Sequence, residues 1–243
     1  AASDVYKRQR VRPEPGKGFA LLRHRFRWKP RTSFSSGPVS FWRRWFGAGE
    51  VYASPETQLA APASHGLAQF FQHLATRIHP NVLDLGRVWH STVTLLTAAG
   101  CKVYTEDAFA TLADAWQKQS PDAAAYLEEN LRYAAESFDG ILAWDLFDYL
   151  PEGLLSPAAE RLRVLLKPKG VLLALFHNAL PITAGVMQYR LVTPQSFACI
   201  ASALPLLPQR VLHNRAILRL FAGFSSSHTF VRRDNLREVL FVK

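Results

Sequence analysis

The sequence NVLDLGRVWHSTVTLLTAAGCKVYTED, residues 81–107, decides the fold. Its first part, 81–86, is a short apolar run closed by a glycine, which is typical of a strand buried on both faces. Ser91 is a good N-cap for a short helix that ends at Gly100. A second strand follows at 101–107 and turns acidic at its end. Strand, helix and strand within 27 residues predict a βαβ unit, and therefore parallel strands joined by a right-handed crossover.

Two further buried strands are predicted downstream of this unit. Apolar runs at Gly140–Trp144 and at VLLALF, 171–176, indicate them, the second one after a KPKG turn at 167–170. The runs at 228–233 and 237–242 predict an antiparallel hairpin joined by a short turn. Five other segments are predicted to be helical: 66–78, 109–119, 122–135, 157–166 and 214–221. The sequence therefore predicts an α/β fold with a mostly parallel twisted sheet, an antiparallel C-terminal hairpin, and helix in place of a third strand.

The composition is that of a globular protein. Of 243 residues, 49% are apolar and 20% are charged. The longest apolar runs fall far short of the roughly 20 residues that a membrane helix needs, so no membrane span is expected. Cys101 and Cys199 lie apart and outside any CxxC or Cys/His cluster, which leaves no zinc site and no disulfide framework to predict. We expect a reducing, cytoplasmic compartment.

The net charge of +10 is confined to the start of the chain. Residues 1–50 hold 12 basic and 3 acidic residues, whereas residues 51–243 hold 17 basic and 16 acidic ones. A polyanion such as a nucleic acid is bound through a basic surface, which the remainder of the chain does not offer. The charge distribution therefore disfavours nucleic acid as a partner of the predicted domain.

Residues 10–38 show no apolar periodicity, and SDVYKRQ at 3–9 resembles the translation of a transposon-end sequencing adapter. We expect 1–52 to be a disordered or artefactual basic leader, with Val39 as an alternative start of translation, and 53–65 to be a linker. The alternative is a nucleic-acid or membrane-surface arm, because aromatic residues are interleaved with the basic ones. A single domain is expected over 66–243.

Four features of that domain occur in a characteristic order. They are the VLDLG strand end with its helix, an acid 22 residues after Asp84, the segment FDGILAWDLFDYLP, and the turn LLKPKGVLLA. In this order they resemble the class I S-adenosylmethionine-dependent methyltransferases. The resemblance implies a Rossmann-like fold and S-adenosylmethionine as cofactor. It implies Asp84 and Gly86 near the methionine end of the cofactor, Glu106 or Asp107 on its ribose, and Asp145 close to it.

The chemistry of the predicted strand ends supports a ligand site independently. Ligands of an open parallel sheet bind beyond the carboxyl ends of its strands, and a glycine there lets a ligand approach the backbone closely. A carboxylate at the end of the second strand suits two adjacent ribose hydroxyls. The first loop departs from the family's GxGxG pattern, because Val88 and His90 stand at its second and third glycine positions. A side chain at either position would block close approach.

The connection at 179–213 is longer than the 2–6 residues usual between a strand and a helix, which suggests a functional segment. We expect it to fold over the strand ends as a lid and to form much of a pocket for the methyl acceptor. Tyr189 and Arg190 are the predicted polar contacts and His177 the predicted proton acceptor. Its apolar composition favours a small or partly hydrophobic acceptor. The alternative is a surface excursion that covers only an edge of the sheet.

Three functions are compatible with these patterns. The first is a methyltransferase that uses S-adenosylmethionine on a small-molecule substrate. The second is a non-catalytic binding or scaffold protein of the same fold that has lost the cofactor, as the degenerate first loop suggests. A nicotinamide-dependent oxidoreductase is disfavoured because GxGxxG is absent. The sequence predicts no metal site and indicates no oligomeric state.

Overall fold

The computed structural model describes residues 61–117, 125–127, 131–180 and 185–243. Its strands are β1 (Asn81–Asp84), β2 (Lys102–Thr105), β3 (Phe138–Trp144), β4 (Leu166–His177), β5 (Met187–Thr193), β6 (Ser196–Ala201), β7 (Ser226–Val231) and β8 (Leu236–Val242). Its helices are α1 (His65–Leu74), α2 (His90–Ala98), α3 (Ala108–Gln117), α4 (Leu146–Tyr149), α5 (Glu152–Leu165) and α6 (Asn214–Leu220). The predictions for the leader and for the linker up to residue 60 lie outside the described residues.

Six strands form one sheet in the order β2-β1-β3-β4-β8-β7. The first four are parallel, whereas β8 is antiparallel to β4 and β7 is antiparallel to β8. Within the described ranges no strand pairs with the outer edge of β2. The structure therefore confirms the α/β fold, the mostly parallel sheet and the C-terminal hairpin, and the described residues between β2 and β3 form no strand.

The core lies on both faces of this sheet, and β3 is buried along its whole length. Helix α1 covers one face with the apolar stripe expected from its spacing, which includes Leu67 and Phe70. Gly140 in β3 makes this contact possible, because a Cβ atom there would lie 2.7 Å from Cζ of Phe70. Ser64 caps α1 by accepting a hydrogen bond from the backbone N–H of Leu67 at 3.0 Å.

Several predicted helix boundaries are wrong. Helix α1 ends at Leu74, and Ile78, predicted on its buried face, is 90% exposed. Helix α2 begins at His90 with Trp89 at the cap position and no side-chain cap bond, so Ser91 is not the cap. Helix α5 begins at Glu152, five residues before the predicted start. These ends depend on where neighbouring elements pack, which local spacing does not report.

The predicted helix at 122–135 lies partly outside the described residues. The described segment 125–127 is helical, but residues 131–134 have no regular structure, so the helix does not continue to 135. The KPKG turn is an irregularity within β4. Its pairing with β3 jumps from Leu166 to Val171, and Lys169 has a positive φ of 60°.

The insertion at 179–213 contains a second, two-stranded sheet. Strands β5 and β6 form an antiparallel hairpin that pairs with no strand of the main sheet within the described ranges. Residues 181–184 of the insertion lie outside the described residues. No described helix has both the length and the apolar character to cross a membrane.

Candidate functional site

The carboxyl ends of β1, β2 and β3, together with β5, surround a narrow crevice. It is lined by Gly86, Arg87, Asp107, Phe109, Trp144, Met187, Gln188 and Tyr189. The crevice therefore lies at the strand ends, where the sequence predicted a ligand site. In this conformation it leaves no room for a nucleoside-sized ligand.

Asp84, at the end of β1, is fully enclosed and turned inward. Its Oδ1 accepts hydrogen bonds from the backbone N–H of Gly86 at 3.0 Å and from the indole N–H of Trp144 at 2.7 Å. Burial raises the pKa of its carboxyl group to about 6, and these two hydrogen bonds oppose that rise. Asp84 thus holds the loop after β1 and the Trp144 ring in place.

Trp144 closes the crevice from the end of β3. A Cβ atom on Gly86 would lie 2.7 Å from Nε1 of Trp144, so the indole occupies the space that the glycine leaves beside the backbone. The indole stacks on the ring of Tyr189, with centroids 5.1 Å apart and an interplanar angle of 8°. The backbone of Trp144 has a φ of 51°, a left-handed conformation that is strained for a bulky residue. Surrounding contacts must hold this arrangement against that strain.

The two acids after β2 have separate partners. Oε1 of Glu106 accepts a hydrogen bond from the Tyr133 hydroxyl at 2.5 Å. Oδ1 of Asp107 accepts one from the backbone N–H of Ala110 at 3.0 Å and so caps α3. Asp107 lines the crevice beside Gly86. Both carboxylates are partly exposed at the edge where the resemblance implied a ribose.

The β5–β6 hairpin packs on the carboxyl ends of the strands, which is the position expected of the lid. The backbone N–H of Leu191 donates to Oγ1 of Thr92 in α2 at 3.0 Å. At its turn, Gln195 O accepts a hydrogen bond from the backbone N–H of Ser64 at 2.7 Å. The hydroxyl of Tyr189 donates to Oδ2 of Asp145 at 2.8 Å. That this segment covers a bound acceptor stays a prediction.

A polar cluster lies beneath the hairpin, at the ends of β3 and β4. Asp145, Asp148 and Tyr149 are at most 1% exposed, and His177 is 5% exposed. Nε2 of His177 lies 3.8 Å from Oδ2 of Asp145, and Nδ1 lies 3.0 Å from Oδ2 of Asp148. The described part of the chain has no group of three His, Cys, Asp or Glu side chains suited to a metal ion. The short distances between the imidazole and the two carboxyl groups suit the cluster to holding or moving protons.

Burial and mutual charge shift the pKa of each acid and base in this cluster. Burial raises the pKa of Asp145 to about 7, although His177 and the Tyr189 hydroxyl favour its ionised form. Burial also raises the pKa of Asp148. Burial alone would lower the pKa of His177, but its hydrogen bond with Asp148 and the charges of both carboxylates raise it overall. A carboxyl group with a pKa of about 7 thus faces an imidazole whose pKa is raised above its ordinary value.

Arg190 is not part of this cluster. Successive side chains of a strand point to opposite faces, so the neighbour of Tyr189 faces away from Asp145. The guanidinium carbon of Arg190 lies 6.0 Å from the ring centroid of Trp89, and that of Arg87 lies 5.4 Å from the same ring. The structure thus places the two predicted acceptor contacts on different sides of the hairpin.

Three residues of the site were missed as site residues. Trp144 ends a strand that was predicted to be buried, and it both lies in the core and closes the crevice. Asp148, an acid at the end of the predicted strand, and Tyr149 were not among the predicted site residues. The signal for Asp148 was present in the sequence, because it stands three residues after Asp145 and residues at that spacing share one face of a helical turn.

No protein-family model and no curated protein sequence matches the chain. Among solved structures, it is similar to the 1,6-didemethyltoxoflavin-N1-methyltransferase of Burkholderia thailandensis, with 16% identity, 88% of this chain and 93% of that chain covered, and a TM-score of 0.43. A TehB-like SAM-dependent methyltransferase from Corynebacterium glutamicum matches with 16% identity and a TM-score of 0.43, and the match covers 84% of this chain and 95% of that chain. A SAM-dependent methyltransferase from Mesorhizobium loti matches with 11% identity and a TM-score of 0.42, and the match covers 72% of this chain and 98% of that chain. At these identities and scores, function has to be inferred from the residues of this chain.

Proposed function

We propose that this chain is an S-adenosylmethionine-dependent methyltransferase that acts on a small molecule. The observation that carries the proposal is the position of Tyr189, whose ring lines the crevice at Gly86 and whose hydroxyl donates to Asp145. One side chain thus joins a crevice at the strand ends to a buried acid–base cluster. Methyl transfer needs this adjacency, because the donor and the acceptor must be held in line and in contact.

The groups at the crevice fit such a cofactor. Gly86 carries no side chain that would keep a ligand from the backbone. Glu106 and Asp107 offer carboxylate oxygens at the edge of the sheet, where two ribose hydroxyls would donate hydrogen bonds. When bound, S-adenosylmethionine supplies a methyl group on a sulfonium sulfur. The crevice has to widen for it, and the Trp144 indole is the group that must move.

The remaining residues would position the acceptor and exclude water. The apolar hairpin lies over the strand ends and shields the cluster from solvent, which strengthens the electrostatic interactions inside. Tyr189 and His177 would contact the acceptor as polar groups. Arg190, beside Trp89, would contribute at the outer side of the hairpin, where a charged part of the substrate would lie.

Binding of S-adenosylhomocysteine is expected to depend on Glu106 and Gly86. Glu106→Gln removes a charged hydrogen-bond acceptor, which is worth about 1.5–3 kcal/mol and hence roughly tenfold to 150-fold in affinity. Gly86→Val should weaken binding at least as much, because its Cβ would already lie 2.7 Å from Nε1 of Trp144 and its methyl groups would crowd the backbone further. Calorimetric titration of the purified protein measures both effects.

The matched control is Glu160→Gln, which removes the carboxylate of an exposed ion pair with Arg163. This variant should bind S-adenosylhomocysteine as tightly as the unmodified protein does. Equal affinity in all three variants would contradict the placement of the cofactor at the strand ends. No measurable binding to the unmodified protein, even at millimolar ligand, would count against the proposed function itself.

A second candidate function is that of a non-catalytic binding or scaffold protein with this fold. The observation that favours it is the Trp144 indole, which fills the space beside Gly86 and is tied to Asp84 and Tyr189. A side chain held by two partners in the cofactor position would suit a protein that no longer binds the cofactor. The two candidates differ in what happens when the indole is removed.

Trp144→Phe is expected to tighten S-adenosylhomocysteine binding about twofold to tenfold if the chain is a methyltransferase. The smaller ring leaves room and cannot make the hydrogen bond to Asp84, whose net contribution to the closed arrangement is about 0.5–1.5 kcal/mol. Calorimetry on the variant and the unmodified protein measures the change. If neither protein binds, the non-catalytic function is favoured instead.

A further inference from the structure

The imidazole of His177 is held from one side by Asp148. Oδ2 of Asp148 accepts a hydrogen bond from the backbone N–H of His177 at 2.7 Å and lies 3.0 Å from its Nδ1. Asp148 belongs to α4, directly after β3, whereas His177 ends β4, so two neighbouring strands bring them together. Asp148 is completely buried, and the pair is therefore shielded from competing water.

This contact decides which ring nitrogen carries the proton. Both contacts reach the same carboxylate oxygen, which can only accept, so a neutral His177 places its hydrogen on Nδ1. Nε2 then keeps its lone pair. It lies 3.8 Å from Oδ2 of Asp145, which is too far for a hydrogen bond, and is thus the nitrogen left to take up a proton.

The other charged and titratable groups around the imidazole come from two further elements. Arg237 of β8 donates to the backbone carbonyl of His177 at 3.2 Å and to that of Leu212 at 2.5 Å. Tyr189 of β5 donates to Asp145. Arg237 therefore lies on the backbone side of the histidine, and the side that faces Asp145 and Tyr189 holds the Nε2 atom.

Two buried carboxylate oxygens of the cluster lack a hydrogen-bond partner. They are Oδ1 of Asp145 and Oδ1 of Asp148. Buried polar groups are nearly always paired, because an unpaired one loses its hydration without compensation. Both oxygens would be satisfied by a molecule that carries O–H or N–H donors.

We infer that Asp148 is a positioning residue, which holds His177 with Nε2 as the proton acceptor of the site, and that the methyl acceptor carries an O–H or N–H group. This inference rests on the proposed function. As the oxygen or nitrogen of the acceptor takes the methyl group, its proton passes to Nε2. The sulfonium becomes a neutral thioether, and the imidazolium later releases the proton to solvent. An acceptor without such a hydrogen would make no use of this arrangement.

The tautomer of His177 tests the positioning role without any ligand. Nitrogen-15 NMR spectra of the full chain, with the His177 signals assigned by comparison with His177→Gln, should show the neutral ring protonated on Nδ1. In Asp148→Asn the amide oxygen can still accept both bonds, so Nδ1 should keep its hydrogen, but the pKa of His177 should fall because the negative charge beside the ring is lost. A neutral ring protonated on Nε2 in the unmodified protein would overturn the inference, whatever the stability of the variant.

Asp139→Asn is the matched control for the NMR experiment. Asp139 is also buried and also accepts a backbone hydrogen bond, from Asn81 at 2.8 Å, but it lies at the start of β3, at the opposite end of the strand. Its replacement should leave the tautomer and the titration of His177 unchanged. An equal change in both variants would show that Asp148 acts only through the general stability of the fold, and would overturn the positioning role.

The acceptor class is tested with S-adenosylmethionine labelled in its methyl group and a mixture of phenols, alcohols and primary amines. A labelled O-methyl or N-methyl product is expected, and Asp148→Asn should lower its rate of formation at least about a hundredfold, with S-adenosylhomocysteine affinity within about twofold of the unmodified protein. An unchanged rate, or no product from a protein that binds S-adenosylhomocysteine, would overturn the acceptor class. Failure to bind S-adenosylhomocysteine would instead contradict the proposed function.

Discussion

Glu238→Ala is expected to lower the free energy of unfolding by about 3–5 kcal/mol, the usual loss when one partner of a buried ion pair is removed. Glu238 is fully buried in β8. Its Oε1 accepts a hydrogen bond from Arg232 at 2.8 Å, and its Oε2 accepts one from the backbone N–H of Gly66 in α1 at 2.5 Å. The alanine variant would remove the carboxylate that faces the buried guanidinium of Arg232. It would also leave the backbone N–H of Gly66 without a hydrogen-bond acceptor.

This pair also contacts the turn end of the β5–β6 hairpin. The guanidinium of Arg232 lies 4.5 Å from the ring centroid of Phe197 in β6, and it also binds Asp234. Urea unfolding of Glu238→Ala and Glu238→Gln measures the effect, and the glutamine variant, which keeps one acceptor oxygen, should lose less. A loss below about 1 kcal/mol in the alanine variant would show that the pair contributes little.

Raising the pH from 4 to 8 is expected to reduce the contribution of Asp145 to stability by about 4 kcal/mol. Burial raises its folded-state pKa to about 7, whereas an unfolded aspartate titrates near 3.9. Between these values the folded protein binds a proton that the unfolded chain has released, so stability falls as the pH rises, by about 1.4 kcal/mol per unit. His177, whose pKa is also raised, acts in the same direction.

Asp145→Asn isolates this contribution, because asparagine keeps an acceptor for Tyr189 and cannot ionise. Urea unfolding at several pH values should show that the free energy of unfolding of the variant increases relative to that of the unmodified protein as the pH rises from 4 to 8. Glu160→Gln is the control of opposite sign, since the hydrogen bond with Arg163 lowers the pKa of Glu160 and its stabilisation is lost as the pH falls. Parallel stability curves for Asp145→Asn and the unmodified protein would contradict a raised pKa at Asp145.

The parallel pairing of the first strands and the edge at which polar residues gather could be predicted because both depend on residues that are close together in the chain. A short apolar run closed by Gly86, and acids such as Glu106 directly after a strand, report burial and strand ends without knowledge of distant residues. The crossover rule then places the parallel strand ends on one edge of the sheet. The position of the crevice therefore followed from the sequence.

The contents of the crevice could not be predicted in the same way. Trp144 binds Asp84, 60 residues away in the chain, and its left-handed backbone conformation is not one that a tryptophan favours. The alternation of side chains along β5 separates Arg190 from Tyr189, but this requires knowing that the segment is a strand. A sequence pattern reports the burial of a side chain and not the direction in which it points.

The sequence by itself determined the parallel sheet, the closing hairpin and the acids at the strand ends, since each depends on residues close together in the chain. Only the tertiary structure decided that Trp144 fills the space beside Gly86 and that Asp148 holds His177, 29 residues further on. Such contacts arise when separate strands align in register and their side chains adopt rotamers that fill the remaining space. The physical reason is that packing is a property of neighbours in space, which a linear pattern does not contain.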